Sequence, residues 1–177
     1  MKIAVCGSSV ANSPEVVEKA REIGRQLAKK NTLVLCGAGP GYPYEAIRAA
    51  FIAGTSVIGI SPAQSKQDHI SYYKYPTDSF SQIEYTGMGA PARNYPLVYQ
   101  ADAIIIIGGQ IGSLNEFSIA FHLKKPIGVL TNSGGITQIL DQIVEICNRG
   151  MERTNVIFED DPKQLVDKLV LLVQNFL

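Results

Sequence analysis

Charge is scarce in this 177-residue chain: only 18% of residues are charged, and 16 basic side chains balance 16 acidic ones. Nucleic acids and anionic membrane surfaces both select clustered Lys and Arg, so the balance predicts neither as a partner. Cysteine is scarce too. Cys6, Cys36 and Cys147 are odd in number and far apart, with no C-x-x-C pair. That excludes a disulfide framework and a metal site, and predicts reduced, buried thiols in a cytoplasmic protein. No apolar run approaches the roughly 18 residues of a membrane span. The opening run, residues 2–6, stops at Gly7, short of the roughly 7–15 residues of a signal-peptide core, and reads as a first strand.

What is present is alternation. Short apolar runs at 2–6, 32–36, 56–60, 103–107, 126–130 and 155–158, and a periodic segment at 83–87, are separated by segments with helical spacing. This predicts one α/β domain over 1–177: a Rossmann-like, doubly wound parallel sheet in a three-layer αβα arrangement. Helices are expected from Ser13-Pro14 onward, over 45–54, 93–100, 113–123 and 136–150, and after Asp161-Pro162. Residues 63–82 are polar and tyrosine-rich, and read as an irregular surface excursion suited to a lid or a subunit contact. His69 within it, and His122, read as ordinary surface or interface histidines. Apolar residues along 45–53 point to a homodimer or higher homo-oligomer.

In a parallel sheet every strand-to-helix turn lies on one edge, where ligands of open α/β sheets bind. Four of these turns are unusual: "CGSS" (6–9), "CGAGPG" (36–41), "TGMGAPARN" (86–94) and "GGQIGS" (108–113). Glycine lets backbone amides approach a ligand without a Cβ intervening, and the helix that follows adds unpaired donors and partial positive charge. Gly7, Ser8, Gly37, Gly39, Gly41, Gly108, Gly109, Gly112 and Ser113 are therefore candidate phosphate or nucleotide contacts. The spacing does not match the familiar owners of such loops. No lysine follows in the P-loop frame, and Gly37-x-Gly39-x-Gly41 breaks the dinucleotide fingerprint, with no acid closing the next strand.

Ser113-Leu114-Asn115-Glu116 also reads as a capping box, with Ser113 capping a helix and Glu116 reaching back. A capping box leaves Gly108 and Gly109 unexplained. Arg93, placed in a helix's first turn, opposes the helix dipole by about 0.3–1 kcal/mol, which calls for a carboxylate or a phosphate nearby.

These residues carry a resemblance. "VCGSSVANSPEVVEKAREIGRQLAK", "LVLCGAGPG", "VIGISP", an arginine ahead of "AD", and "GGQIGSLNEF" occur in an order similar to the lysine-decarboxylase-like superfamily, named for an activity its members lack. That superfamily includes Lonely Guy (LOG) type phosphoribohydrolases and molybdenum-cofactor carrier proteins. The family's P-G-G-x-G-T-x-x-E maps onto Gly108 to Glu116, with Gly108, Gln110 and Ser113 replacing the proline, second glycine and threonine. Its Arg-Lys maps onto Arg93-Asn94, which looks more like the carrier branch. The resemblance implies Arg93 and Glu116 as the catalytic pair of the hydrolases, with Asn94 and the glycine loops around the phosphate. It implies a homo-oligomer, no required cofactor, and a bound nucleotide, phosphate or molybdopterin. Two functions follow: hydrolysis of nucleoside 5′-monophosphates to base and ribose 5-phosphate, or carriage of a phosphorylated ligand without catalysis.

Overall fold

The computed structural model describes residues 1–147 and 155–176. The apolar runs and the periodic segment near 83 become strands β1 (Lys2–Gly7), β2 (Leu33–Cys36), β3 (Val57–Ser61), β4 (Gln82–Tyr85), β5 (Ala103–Ile107), β6 (Ile127–Leu130) and β7 (Val156–Glu159). They form one sheet in the order β4-β3-β2-β1-β5-β6-β7, with every pair parallel. The chain winds outward from β1 to β4, returns to the centre, and winds the other way from β5 to β7. The reversal falls between β1 and β5, the place where ligands enter sheets of this kind.

Alternation within the strands divides the core into two layers. Ile3, Val5, Val34, Cys36, Ile105 and Ile107 face α1 (Pro14–Lys29), α2 (Tyr42–Ile52) and α7 (Pro162–Phe176). Ala4, Cys6, Leu35, Ile104 and Ile106 face α4 (Gly89–Gln100), α5 (Ile111–His122) and α6 (Leu140–Cys147). All five residues of β5 are buried, which explains why its sequence is apolar at every position rather than alternate ones. Among the described residues no helix is long and apolar enough to cross a membrane.

Local signals fix some boundaries. Ser13 caps α1, its side chain accepting from the Val16 amide, and Pro14 occupies the first turn, where it gives up no hydrogen bond. Elsewhere the structure corrects the expectations. The excursion at 63–82 is only partly irregular: Ser65 caps a short helix, α3 (Lys66–Ser71), and β4 begins at Gln82. His69 is not a surface residue but fully buried, whereas His122 is exposed. Cys6 and Cys36 are buried as expected; Cys147 is exposed, on the outer side of α6. Helix α2 begins at Tyr42, and its apolar Ala46, Ile47 and Ala50 face the core, leaving Phe51 and Ile52 outward. The expected helix 136–150 is a 3-10 turn (Gly135–Gln138) followed by α6, and its last three residues lie outside the described set.

Candidate functional site

The site forms where β1, β2 and β5 end. Gly7 closes β1 directly against β5: a Cβ there would lie 2.0 Å from the Ile107 carbonyl oxygen, and the Ser8 amide donates to that same oxygen at 3.0 Å. The Ser8 hydroxyl turns back on its own loop, donating to the Val10 carbonyl at 2.8 Å. On the neighbouring turn Gly41 holds φ +98 and precedes α2, with the Ser8 carbonyl oxygen where its Cβ would be.

Helices α4 and α5, side by side over β1, deliver the charged pair. Arg93 and Glu116 are 8% and 7% exposed, and Arg93 Nη1 donates to Glu116 Oε1 at 3.2 Å. The guanidinium lies flat against Gly37, where a Cβ would come within 2.7 Å of both terminal nitrogens. Gly37 is thus the residue that makes room for Arg93. Among the described residues Arg93 Nε is buried without a hydrogen-bond partner. An unmet buried donor costs about 1–3 kcal/mol, so this nitrogen marks the place where an acceptor fits. Beneath the pair lies the buried Cys6 thiol at the end of β1. Burial pushes the Glu116 carboxyl above the ordinary glutamate range, and Arg93 only partly offsets it. Burial, and then the Glu116 charge, hold the Cys6 thiol well above its usual value.

The glycine loop is braced from behind. Gly108 (φ +58) and Gly109 (φ +99) take backbone conformations that suit glycine. The Gly108 amide donates to the Ser133 hydroxyl at 2.8 Å, and the Gly109 carbonyl accepts from the Ile136 amide at 2.9 Å. A Cβ on Gly135 would overlap that Gly109 carbonyl.

The sheet edge therefore assembles Arg93, Glu116, Gly37, Gly109 and Ser113 in one place. The capping box does not form. Helix α5 starts at Ile111, with Gln110 at the cap position and no side-chain cap bond, so Ser113 sits inside the first turn and Glu116 points to Arg93. Arg93 is likewise not in a first turn: α4 starts at Gly89, and Pro96 lies inside the helix. Asn94 is buried and joins the helices, donating to Asn115 Oδ1 at 2.8 Å and to the Gly112 carbonyl at 3.4 Å. Sequence reasoning missed Ser133 as the brace of Gly108; the only signal was "SGG", a turn at the right edge. It also missed Cys6, whose place at the end of β1 marked it as near the site.

Gly112 is the informative exception. Nothing lies within 4 Å of the position a Cβ would take, and φ is ordinary. Gly112→Ala is expected to raise stability by up to about 1 kcal/mol, because alanine favours an exposed helix position. Urea unfolding measures this. A stability gain accompanied by weaker binding of a phosphate ester would mean that this glycine clears space for a ligand rather than for the fold.

The profile of the SLOG cluster4 family matches residues 1–166. The cytokinin riboside 5′-monophosphate phosphoribohydrolase LOG7 of Arabidopsis thaliana is 25% identical over 176 residues, covering 93% of this chain and 78% of its own. The molybdenum cofactor carrier protein of Chlamydomonas reinhardtii superposes with a TM-score of 0.80 at 22% identity, covering 98% of both chains. DNA processing protein A of Helicobacter pylori superposes less closely, at a TM-score of 0.65 and 20% identity, covering 97% of this chain and 80% of that one. At those identities the two structures establish a shared fold and nothing finer.

Proposed function

The chain belongs to the SLOG cluster4 family, and from that premise we propose that it binds a phosphorylated small molecule at the carboxyl edge of the sheet and hydrolyses the N-glycosidic bond of nucleoside 5′-monophosphates. The observation that carries this reading is the buried Arg93–Glu116 pair with an unmet Arg93 Nε, beside a glycine loop held open. The phosphate would sit against the amides of Gly109 to Gly112 at the start of α5, where the helix dipole favours an anion. One of its oxygens would accept from Arg93 Nε.

Glycosidic cleavage builds positive charge on the sugar, and a carboxylate close by lowers the energy of that state. Glu116 is suited to the task because burial makes it a stronger base than an exposed glutamate. Water loses a proton to Glu116 and bonds to the anomeric carbon. The carbon–nitrogen bond breaks with its electron pair on the base, which takes up a proton. The products are free base and ribose 5-phosphate. The name of the Arabidopsis relative supports this reaction class.

A second reading, a carrier of a phosphorylated cofactor such as molybdopterin, is favoured by Asn94. It stands where the hydrolases have lysine, and its amide is engaged by α5 rather than offered to a ligand. Both readings take a small-molecule ligand, a cytoplasmic setting and a homo-oligomer, the last in keeping with the outward Phe51 and Ile52.

Chromatography of AMP and other nucleoside monophosphates incubated with the protein separates the two. Hydrolysis predicts released base, abolished in Glu116→Ala and Arg93→Ala, with a rate that rises with pH through a pKa above the ordinary glutamate value. Intact nucleotide together with calorimetric binding of the nucleotide or a pterin phosphate supports the carrier. Neither turnover nor binding would remove the site.

A further inference from the structure

The connection between β3 and β4 passes the turn that carries Gly39 as a strap fastened at both ends. At one end lies the buried His69. Its Nδ1 is 2.8 Å from the Ser61 hydroxyl and its Nε2 is 2.9 Å from the Pro76 carbonyl. The carbonyl can only accept, so Nε2 carries the proton and Nδ1 receives the serine's. At the other end the Tyr44 hydroxyl donates to Asp78 at 2.6 Å, and the Phe80 ring covers Gly59, where a Cβ would meet ring carbons at 3.0 Å.

Between these fastenings the strap lays Tyr75 on Gly39. A Cβ at Gly39 would stand 3.0 Å from Tyr75 Cζ, so any other residue there would lift the ring. His69 and Tyr75 meet edge to face with centroids 5.6 Å apart, and the tilted Tyr73 ring lies 5.4 Å from Tyr75. Both tyrosines remain half-buried, on the wall where Arg93 lies over Gly37, two residues before Gly39. The fastenings account for His69, Asp78 and Phe80. They do not account for two tyrosine rings left half-buried beside the loop that carries Gly37 and Gly39.

We propose that Tyr75, flanked by Tyr73, is the stacking platform for a planar nitrogen heterocycle, a purine or a pterin-like ring, borne by the phosphorylated ligand. The phosphate is then held at the glycine loop and the ring against the strap, with the bond between ring and sugar lying over Glu116. An aromatic face accepts a flat heterocycle with little regard to its hydrogen-bonding edge, so the platform selects for flatness rather than for one base. This rests on the reading of the site as a phosphate-ester site.

Calorimetry with AMP and with ribose 5-phosphate tests it, on the wild type and on Tyr75→Ala, Tyr75→Phe and Tyr75→Leu. Tyr75→Ala is expected to weaken AMP binding roughly tenfold, with ribose 5-phosphate unchanged and Tyr75→Phe behaving as wild type. Tyr75→Leu keeps bulk over Gly39 without a π face and should match the alanine variant; it carries the test if that variant unfolds. Equal losses for both ligands, or an undiminished affinity for AMP, would overturn the platform while leaving the phosphate site in place. A wild type that binds neither ligand would instead remove the phosphate-ester reading, and the platform with it.

Discussion

Arg93→Ala is expected to destabilise the protein by about 3–5 kcal/mol near pH 8, because it strands a buried carboxylate without its partner. The pair is almost wholly out of water, so little of the loss is recovered by solvation. The pH dependence has a definite sign. In the wild type burial already raises the folded-state pKa of Glu116, with Arg93 pulling it back in part. Removing Arg93 raises it further. A carboxyl whose folded pKa exceeds its unfolded value, about 4.3, binds its proton more tightly when folded. Its contribution is therefore favourable at low pH and is lost as pH rises through the folded pKa. The deficit of Arg93→Ala should shrink markedly between pH 8 and pH 5 in urea unfolding. The double variant Arg93→Met/Glu116→Leu should recover most of the loss, since it leaves no charge behind. A deficit that is independent of pH, or a double variant worse than the single one, would show that the two side chains do not act as a buried pair.

Gly7→Ala should be comparably damaging for a reason unrelated to charge. Gly7 sits at φ +149, and a methyl group there would lie 2.0 Å from the Ile107 carbonyl oxygen, which belongs to the facing strand. Backbone cannot swing aside as a long side chain does. Strain of about 1–3 kcal/mol in an unsuitable conformation is joined by an overpacking cost of about 1–3 kcal/mol. Relief requires parting β1 from β5 at the point where the sheet reverses direction, so the damage should spread to the Ser8 amide and the whole ligand edge. Gly54→Ala is the control: its φ is also positive, at +91, but nothing lies within 4 Å. Gly7→Ala should shift the urea midpoint far more than Gly54→Ala. Similar shifts for the two would refute the close approach.

Most of the sheet was legible in the sequence because every strand except β4, which is Gln-Ile-Glu-Tyr, lies in a short apolar run, and the start of α1 was legible because Ser13-Pro14 is a local cap whose geometry needs no distant partner. The glycine turns located the site for the same reason: parallel strands oblige them to share an edge. Expectations failed where distant contacts overrode local signals. Ser113 and Glu116 have capping-box spacing, yet burial against α4 gives the carboxylate a stronger partner, and α5 begins at Ile111 without a side-chain cap. Gly89, Ala90 and Pro91 look like a loop, yet they form the first turn of α4 as it packs beside α5. His69 looked exposed because its neighbours are polar; its burial follows from Ser61 and Pro76, which the pattern of residues around it does not reveal.

The turn after β6 is tied to the glycine loop twice, through Ser133 to Gly108 and through Ile136 to Gly109. A receptor whose contour is imposed by the crossover behind it is rigid before anything arrives. If the loop holds the proposed phosphate, little entropy then remains to be surrendered on docking, so affinity would come from few contacts. Loosening Ser133, which touches nothing but its own scaffold, should therefore register as weaker capture by the empty-handed loop rather than as a change in what it recognises.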